Sequence, residues 1–493
     1  MAAPHAESSN ALYLVIDQGG QSSRAMVFDR TGNLLVKEAA PVTTDRPRPD
    51  WVEHRPAQLM GSVETVIEHA LSSIGNRARD IAAAGLATQR SSVVCWEQST
   101  GQALTPVLSW QDRRAKDWLA GFESAARRVH QLTGLVLSPH YGASKLRWCL
   151  DEVEEVADAH ARGTLAWGPL ASYIVTKLLK EQPHLIDPAN ASRTLIWDYR
   201  TRDWSPELLQ LFGLPVEPLP ECTPSRHAFG HLKARASIPL AAVTGDQSAA
   251  VFAFGIPEPG TAFINMGTGA FLQCVTGNEP VVDSQGLLSS VVWQDASEAV
   301  YVLEGTVNGA ASALKTVGRQ LGVTPSTMIA EAPGWLERAE DPPLFLNGVS
   351  GLGSPYWLAD FPSEFLGEAD VWEKMVAIYE SIVFLLAINL DAVQNAGISP
   401  TRIMISGGLA NVDGLCQRLA DLSGLVVRRP LATEATARGL AYLTAGTPEE
   451  WDHGAGAAQF CPRKRPRLAG RFSRWRRALE ERISRLAGNG GSH

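Results

Sequence analysis

The sequence predicts an α/β protein built from two similar domains, and two short segments carry this prediction. Each reads as an apolar strand, a glycine-bearing turn and a second strand: Leu12 to Asp29 (LYLVIDQGGQSSRAMVFD) and Thr261 to Val275 (TAFINMGTGAFLQCV). A turn of this kind offers uncovered backbone amides to a phosphate group. One such turn is ordinary hairpin chemistry, whereas two of them indicate two domains that face each other across a nucleotide.

Composition agrees with a globular α/β chain. The 493 residues suffice for two to three domains, and 45% of them are hydrophobic. The six cysteines show neither CxxC nor His-paired spacing, which favours reduced thiols in the cytoplasm. The N-terminal segment lacks the order of a secretion signal, and no apolar run is long enough to span a bilayer. We therefore expect a cytoplasmic protein that does not contact membranes.

The C-terminal tail is basic although the whole chain carries a net charge of −8. Ten lysines and arginines lie between Arg463 and Arg485, and apolar residues from Phe472 onward recur at spacings of three and four. This spacing predicts an amphipathic helix docked on the body through Trp475. Nucleic-acid binding is the less favoured alternative, because the acidic body would not attract the phosphate groups of a nucleic acid.

Periodicity and turn residues place the elements of the first half in order. A meander (strands at 13–17, 25–28 and 34–38) precedes a helix at 56–74, strands at 81–88 and 91–97, helices at 113–132, 143–157 and 169–179, and a strand at 238–245. The last strand leads into Asp246 and a helix of small residues.

The second half repeats this order. After the hairpin around Met266–Ala270 we expect strands at 287–292 and 299–303, long helices, a strand at 401–408, a helix at 412–422, a strand at 425–430 and a helix at 434–444. The GIPEPG segment is a plausible linker. We therefore divide the chain into an N-terminal domain (1–252), a C-terminal domain (253–450) and the basic tail with its helix (451–493).

Two aspartates end predicted strands. Asp17 precedes the first glycine turn, where a carboxylate can hold Mg²⁺, in part through water. Asp246 follows a buried strand, at the edge where open α/β sheets place their ligands, and it could take the proton of an alcohol that attacks phosphorus. From the residues alone, a helix N-cap explains Asp246 equally well. Arg24 could neutralise phosphate charge.

A third glycine-bearing segment is a candidate nucleotide contact, but the chain lacks the common nucleotide-binding motifs. Ser406-Gly407-Gly408 ends a strand before a helix and would let a base or ribose approach the backbone. It is not the GxGxxG fingerprint, and the chain contains no GxxxxGK[ST], HExxH or GxSxG segment. P-loop kinases and Rossmann dehydrogenases are thereby disfavoured.

At this point the sequence resembles the FGGY carbohydrate kinases, and among them the glycerol kinases most. Eleven segments match in order: DQGGQSSRAMVFD, GLATQRSSVVCWE, LSWQDRRA, GASKLRWCLDE, DPANASRTLIWD, VTGDQSAAVF, MGTGAF, LEGTV, GLGSPYW, SGGLANVDGL and TEATARGLAYL. The resemblance implies an actin-like (RNase H-like) fold, in which two similar domains hold ATP and the substrate in the catalytic cleft between them.

The resemblance also implies roles for individual residues. Asp246 would be the general base, and Asp17 would organise Mg²⁺. The substrate pocket would be lined by Arg90, Ser91, Trp110, His140, Asp246, Gln247 and Phe271. ATP would be bound by Gly19, Gly20, Gln21, Ser22, Arg24, Gly267, Thr268, Gly269, Ala311, Lys315, Gly407, Gly408 and Val412.

Several of these positions depart from the glycerol kinases. Ser91 stands where they carry a glutamate that accepts hydrogen bonds from glycerol, and His140 aligns with their tyrosine, although Tyr141 is adjacent. Because mispaired polar groups in a polyol pocket cost orders of magnitude in rate, these exchanges should change which alcohol fits. We therefore expect a substrate pocket altered toward another polyol or a sugar.

The nucleotide side departs as well. Gly20 and Gln21 replace two hydroxyl-bearing residues, while Ala311, Lys315 and Val412 align with a glycine, a glutamine and an asparagine of the family. Backbone amides can donate to phosphate whatever the side chain is, so we expect ATP to bind.

The leading hypothesis is an ATP- and Mg²⁺-dependent kinase of a small polyol or sugar, with a homodimer as one possible assembly. The alternative is a catalytically weak relative that senses a sugar or nucleotide. Retention of Asp17, Asp246 and the second glycine turn favours the kinase.

Overall fold

Two sheets, one in each half of the chain, organise the molecule. The computed structural model describes residues 10–234, 236–282, 286–296, 298–431, 434–451 and 456–489. The N-terminal segment 1–9, in which we expected no leader, lies outside the described residues, as do positions 452–455 and 490–493 of the tail.

The first half contains a six-stranded sheet in the order β13-β14-β5-β1-β2-β3 and a smaller four-stranded sheet in the order β4-β7-β6-β8. Its strands are β1 (Leu12–Gln18), β2 (Ser22–Asp29), β3 (Leu34–Pro41), β4 (Glu53–His54), β5 (Ile81–Thr88), β6 (Val93–Glu97), β7 (Val107–Leu108), β8 (Leu165–Pro169), β9 (Leu185–Ile186), β10 (Trp197–Asp198), β11 (Asp203–Trp204), β12 (Glu221–Cys222), β13 (Arg226–His231) and β14 (Pro239–Gly245). Its helices are α1 (Pro56–Ile74), α2 (Lys116–Ala120), α3 (Ala126–Thr133), α4 (Gly142–Glu152), α5 (Glu154–Ala161), α6 (Leu170–Leu178), α7 (Pro188–Ala191), α8 (Pro206–Phe212) and α9 (Asp246–Ala250).

The second half contains a seven-stranded sheet in the order β17-β18-β16-β15-β21-β22-β23. Its strands are β15 (Thr261–Met266), β16 (Ala270–Gly277), β17 (Leu288–Gln294), β18 (Ala299–Val307), β19 (Leu344–Leu346), β20 (Glu364–Leu366), β21 (Arg402–Ser406), β22 (Val427–Arg429) and β23 (Ala458–Phe460). Its helices are α10 (Ala311–Gln320), α11 (Pro325–Arg338), α12 (Val371–Asn395), α13 (Asp413–Ser423), α14 (Ala435–Thr444) and α15 (Pro466–Asn489).

The two main sheets share one arrangement at their centres. β1 pairs antiparallel with its hairpin partner β2 and parallel with β5, and β15 pairs antiparallel with β16 and parallel with β21. Each hairpin turn therefore lies at the edge of its sheet where a parallel neighbour also ends. This repetition agrees with the two similar domains that the paired glycine turns predict.

Helix α12 occupies the core of the second half. Among the described residues it is the one helix long and apolar enough to cross a membrane by length and composition, although Glu380 and Asp391 interrupt its apolar sequence. Within the protein, 94% of its most apolar window is buried. It is packed as a core helix against α13, β18 and β19.

Helix α15 docks on the second half through the aromatic side chains of Phe472 and Trp475 and through a buried ion pair. Trp475 is fully buried, its ring centroid lies 5.3 Å from that of Phe384, and its Nε1 donates to the Phe345 carbonyl at 2.7 Å. Arg471 is also buried and donates to the Glu380 carboxylate at 2.7 Å. The spacing of three and four in the tail thus corresponds to a helix face packed on the body.

Helix α14 crosses back to the first half and packs on β1, β5, β14 and α9. Gly85 permits this approach, because a Cβ atom there would collide with Thr444 and Leu440. Arg438 donates to the Ala253 carbonyl at 2.9 Å and to the Gly32 carbonyl at 2.7 Å. The two halves are therefore joined both by the chain around residue 253 and by this helix.

Candidate active site

Three parallel strands of the first sheet end side by side. β5 lies between β1 and β14, with Asp17 opposite Ala87 and Thr88 opposite Gly245. Asp17 and Asp246 thereby reach the same edge of the sheet, and the charge of Asp246 contributes to the raised pKa of Asp17. Sequence reasoning assigned both aspartates to this edge.

Asp246 is the first residue of α9, and its carboxylate does not cap the helix. The N-cap residue is Gly245, and among the described residues the carboxylate accepts only from the adjacent Gln247 amide, at 2.7 Å. An N-cap side chain would instead reach the amide of the second or third helical residue, as Asp187 does for α7. Burial raises the pKa of Asp246, and the guanidinium of Arg90 opposes this rise. The carboxylate is thus free to act on another group.

Arg90 joins Asp246 to an acid of the second half. Its stem lies over Gly245, where a Cβ atom would collide with it, and its guanidinium donates to Glu304 Oε1 at 3.0 Å. Glu304 also pairs with Arg193 and accepts from Gln273 Nε2 at 3.1 Å. Burial alone would raise the pKa of Glu304, but the two arginines outweigh it and lower that pKa to about 2. Glu304 therefore stays ionised at neutral pH.

The first glycine turn lies against the residues assigned to substrate binding. A Cβ atom on Gly20 would lie 3.7 Å from Gln89 Oε1 and 4.0 Å from Trp110 Nε1. The Trp110 ring is 39% exposed, and its centroid lies 6.5 Å from that of His140. A group bound at this turn would therefore touch the wall that Trp110 forms.

His140 and Ser91 give this wall a neutral polar character. His140 Nδ1 lies 3.0 Å from the Trp110 carbonyl, a contact in which the ring nitrogen donates, and burial lowers the pKa of the imidazole. The neutral ring then keeps Nε2 as an acceptor. Tyr141, the adjacent phenol, packs its ring in the apolar cluster that contains Leu146, and its hydroxyl interacts with Arg193; the ring beside Trp110 is that of His140.

Amides of the first turn are available to a ligand. The Gly19 amide donates to the Ser22 carbonyl at 3.0 Å, which closes the turn, whereas within the described part of the chain the Gly20 and Gln21 amides donate to no protein group. Arg24 lies beside them and contacts Asp17 Oδ2 at 2.7 Å and Glu434 Oε2 at 3.0 Å. Cationic charge and amide donors therefore meet at this turn.

The second glycine turn is backed by a helix. The Gly267 amide donates to the Gly269 carbonyl at 2.8 Å, and the Ala311 amide of α10 donates to the Gly267 carbonyl at 3.1 Å. The Thr268 carbonyl accepts from the Ser312 amide at 3.1 Å. Ala311 thus lies behind the turn, while Lys315, one turn further along α10, is exposed.

A third turn follows β21, which runs parallel to β15. Gly407 has φ +92° and packs closely on the Met266 backbone, so that it adjoins the second turn. Gly408 borders open space, as a nucleoside would require. The Val412 side chain is buried in the core of the second half, and its amide donates to the Leu409 carbonyl at 3.1 Å.

The two halves meet next to Asp246. Gln247 and Phe271 line one cavity of about 30 Å³ together with Asn265 and Ser406 of the second sheet. Thr436 of α14 donates to the Asp246 carbonyl at 3.1 Å. The edge that carries the two aspartates therefore faces the glycine turns of the second half.

Sequence reasoning missed three buried charges at this site: Glu304, Arg193 and Lys145. All three fall inside segments quoted for the family resemblance, yet nothing marked them individually. A signal existed for Glu304, because it is the one charged residue in the otherwise apolar strand AVYVLEGTV. A lone buried acid requires a partner, although the sequence does not say which cation supplies it.

The burial of Asp17 leads to a prediction on stability. Its side chain is 1% exposed, and burial raises its pKa to about 6 from an ordinary 3.8. Because the folded pKa is the higher one, the ionised carboxylate costs stability above pH 6. We expect Asp17→Asn to raise the free energy of unfolding of the ligand-free protein at pH 7.5, by at most about 3 kcal/mol for a shift of two pKa units. Denaturant unfolding at pH 7.5 and pH 4 measures this.

The gain should shrink toward pH 4, because the buried carboxyl of the folded wild type is then protonated and carries no charge. Asp29→Asn is the matched control at the other end of the same hairpin. There, hydrogen bonds from Asn33 and Thr31 outweigh burial and lower the pKa, so that variant should lose stability. A less stable Asp17→Asn protein at pH 7.5 would contradict the cost assigned to this carboxylate.

Comparison with known proteins agrees with this architecture. The FGGY carbohydrate kinase N-terminal domain model matches residues 12–253, and the C-terminal domain model matches residues 262–447. The chain is 33% identical over 443 residues to glycerol kinase of Burkholderia multivorans and 34% identical over 445 residues to that of Shewanella frigidimarina; each match covers 87% of this chain and 88% of the relative.

Solved structures show the same fold. A Plasmodium falciparum glycerol kinase with ADP superposes with a TM-score of 0.88 at 24% identity, over 96% of this chain and 98% of that one. A xylulose kinase from Rhodospirillum rubrum superposes with a TM-score of 0.85 at 18% identity, over 97% and 99% of the two chains. Family models that together span most of the chain, with relatives above 30% identity, show its membership: the chain belongs to the FGGY family of carbohydrate kinases.

Proposed function

We propose that this kinase transfers the γ-phosphoryl group of ATP to a hydroxyl of a small polyol or sugar other than glycerol. The observation that carries the proposal is the placement of Asp246. Asp246 starts α9 at the strand edge that it shares with Asp17, its carboxylate does not cap that helix, and the charges of Arg90 and Arg24 act on it. A base so placed can take a proton from an alcohol that attacks a phosphate bound at the first glycine turn.

The remaining residues would bind and orient the two substrates. The Gly20, Gln21 and Thr268 amides would donate to phosphate oxygens, and Arg24 would offset their charge. The open space at Gly408 would admit adenosine. Closure of the two halves would exclude water that could otherwise hydrolyse ATP.

The residues around Asp17 fit a magnesium ion. The carboxylate is buried at the strand edge that it shares with Asp246, and its Oδ2 pairs with Arg24 at 2.7 Å. Such an oxygen suits a hard, partly hydrated cation. When bound, Mg²⁺ would neutralise charge on the β- and γ-phosphates, and Asp17 would hold it while Arg24 turns toward phosphate.

The acceptor pocket supports an alcohol other than glycerol. Ser91 supplies a hydroxyl where the glycerol kinases supply a carboxylate, and His140 presents an uncharged acceptor beside Trp110. Both side chains are smaller than those they replace, which leaves room for a longer or more substituted chain. Hydroxyl recognition then rests on fewer charged hydrogen bonds.

Restoring the acid should shift the preference toward glycerol. We expect Ser91→Glu to raise kcat/KM for glycerol at least about tenfold, because a hydrogen bond to a charged group contributes about 1.5–3 kcal/mol. Steady-state kinetics with glycerol and with the best wild-type acceptor would measure the change. Ser91→Ala, which removes the hydroxyl without adding charge, should show no gain; an equal gain in both variants would contradict the assigned position.

The proposal is tested by ATP consumption against glycerol, erythritol, xylitol and ketopentoses, with and without Mg²⁺. Metal-dependent turnover of one of these compounds, with glycerol poor, is the expected result. Thermal stabilisation by a sugar or by ATP without turnover of any acceptor would instead favour a sensor. The proposed setting is the cytoplasm, with domains at 1–252 and 253–450 and a tail from 451; size-exclusion chromatography would show whether a homodimer forms.

A further inference from the structure

One buried lysine lies behind the acceptor pocket. Lys145 is on α4 and is 1% exposed. Its Nζ donates to the Ser91 carbonyl at 3.0 Å, the Ser109 carbonyl at 2.8 Å and the His140 carbonyl at 2.7 Å. Burial lowers the pKa of Lys145 to about 7, but three carbonyl acceptors favour the ammonium form, whose three protons are all used by these bonds, so that none is left for a substrate.

The three carbonyl groups belong to three separate segments of the chain. Ser91 lies between β5 and β6, Ser109 follows β7 and precedes Trp110, and His140 precedes α4. Each segment supplies a side chain of the pocket wall. A single charged group therefore fixes the relative positions of walls that are up to 50 residues apart in the chain.

The backbone at Ser91 needs such support. Ser91 has φ +65°, a left-handed conformation that costs a non-glycine residue roughly 1 kcal/mol or more. A charge-assisted hydrogen bond to its own carbonyl offsets that cost and orients the peptide. On the other side of the segment, Ser92 Oγ accepts from the Trp110 amide at 3.0 Å, so the turn is held from two directions.

We propose that Lys145 is a positioning residue for the acceptor pocket: it sets the geometry of the Ser91, Trp110 and His140 walls without touching the substrate. The role of these walls rests on the proposed kinase function. The contacts of Lys145 with the three segments do not depend on it. The contacts of Lys145 and the proposed kinase function can therefore be tested in separate experiments.

The kinetic test compares Lys145→Met with Leu146→Ala, a matched variant of the next residue on α4, which is equally buried but makes none of these bonds. With the best acceptor from the panel as probe, we expect Lys145→Met to raise KM for that acceptor at least tenfold while KM for ATP stays within twofold. Leu146→Ala should lower the unfolding temperature but keep both KM values. An unchanged acceptor KM in Lys145→Met, or an equal rise in Leu146→Ala, would overturn the proposal.

Lys145→Arg keeps the test open if the methionine variant does not fold. A guanidinium retains the charge, but its planar donors cannot converge on three carbonyl groups as an ammonium does. We expect the acceptor KM of Lys145→Arg to lie between the values of the wild type and of Lys145→Met. If Lys145→Met does not fold, the acceptor KM of Lys145→Arg should still exceed the wild-type value. A wild-type KM for Lys145→Arg would overturn the requirement for converging donors.

Hydrogen exchange tests the positioning without any acceptor. Each of the three segments contains a hydrogen-bonded amide whose exchange can be followed. The Gln89 amide donates to the Gln18 carbonyl, the Trp110 amide to Ser92 Oγ, and the Tyr141 amide to the Ser138 carbonyl. We expect Lys145→Met, or Lys145→Arg to a smaller extent, to speed exchange in all three segments, and Leu146→Ala to speed it in α4 alone. Faster exchange in a protein that phosphorylates nothing would contradict the kinase function yet retain the positioning role; unchanged exchange would refute that role.

Discussion

Asp246→Asn is expected to lower kcat by about 10²–10⁴-fold, the range contributed by a general base. The amide keeps the shape of the side chain and can still accept from the Gln247 amide, but it cannot take a proton. ATP binding should change little, because the proposed phosphate donors lie in the two glycine turns. Coupled-enzyme kinetics and calorimetric titration with ATP would measure the two quantities separately.

Asp187→Asn is the matched control for this variant. Asp187 is also a buried aspartate at the start of a short helix, but its carboxylate caps α7 by accepting from the Asn190 amide at 3.2 Å. Burial raises the pKa of Asp187 to about 7, and an asparagine oxygen can still accept from the Asn190 amide, so the control should keep its fold and its kcat. Wild-type-like turnover in Asp246→Asn would overturn the assignment of the base, and so would an equal loss of kcat in both variants.

Glu304→Gln is expected to affect both stability and catalysis. Removing this charge leaves the guanidinium groups of Arg90 and Arg193 buried without their acid, a change that typically costs about 3–5 kcal/mol. Arg90 already opposes the rise in the pKa of Asp246 that burial causes, and it would then interact more strongly with this carboxylate; a less basic carboxylate accepts a proton less readily. We expect a lower kcat together with a lower unfolding temperature.

The chain offers a matched control in Glu380→Gln. Glu380 is likewise a buried acid between two arginines, with Arg418 at 3.3 Å and Arg471 at 2.7 Å, but it lies beneath α15, away from the acceptor pocket. Both variants should lose comparable stability, and only Glu304→Gln should lose kcat. Identical kinetic losses would show that Glu304 acts through stability alone.

Local pattern predicts much of this fold. The helix Pro56–Ile74 and the strand Ile81–Thr88 occur with the expected bounds, because an amphipathic period and a short apolar run specify them locally. The expected helices at 113–132 and 143–157 are each broken, the first around Gly121 and the second at Val153. These breaks depend on packing against distant residues, which periodicity does not report.

The candidate site, too, could be predicted from the sequence only in part. The strand-end position of Asp246 follows from an apolar strand that runs into a helix, whereas the distinction between an N-cap and a free carboxylate required the hydrogen bonds themselves. Glu304 contacts Arg90 214 positions away, and Lys145 contacts Ser109 36 positions away, so no local motif reveals these contacts. Assignments of individual ATP-binding residues such as Lys315 and Val412 remain predictions.

Helix α14 has a consequence for how the protein is made. The central strands of the first sheet are covered by a segment that leaves the ribosome only after residue 444, although β1 emerges near the beginning of synthesis. The nascent N-terminal half therefore exposes the apolar surface around Gly85 and Ala87 until α14 has been synthesised. Ribosome-bound chains halted before α14 should accordingly be more sensitive to protease, and engage chaperones longer, than chains that include it.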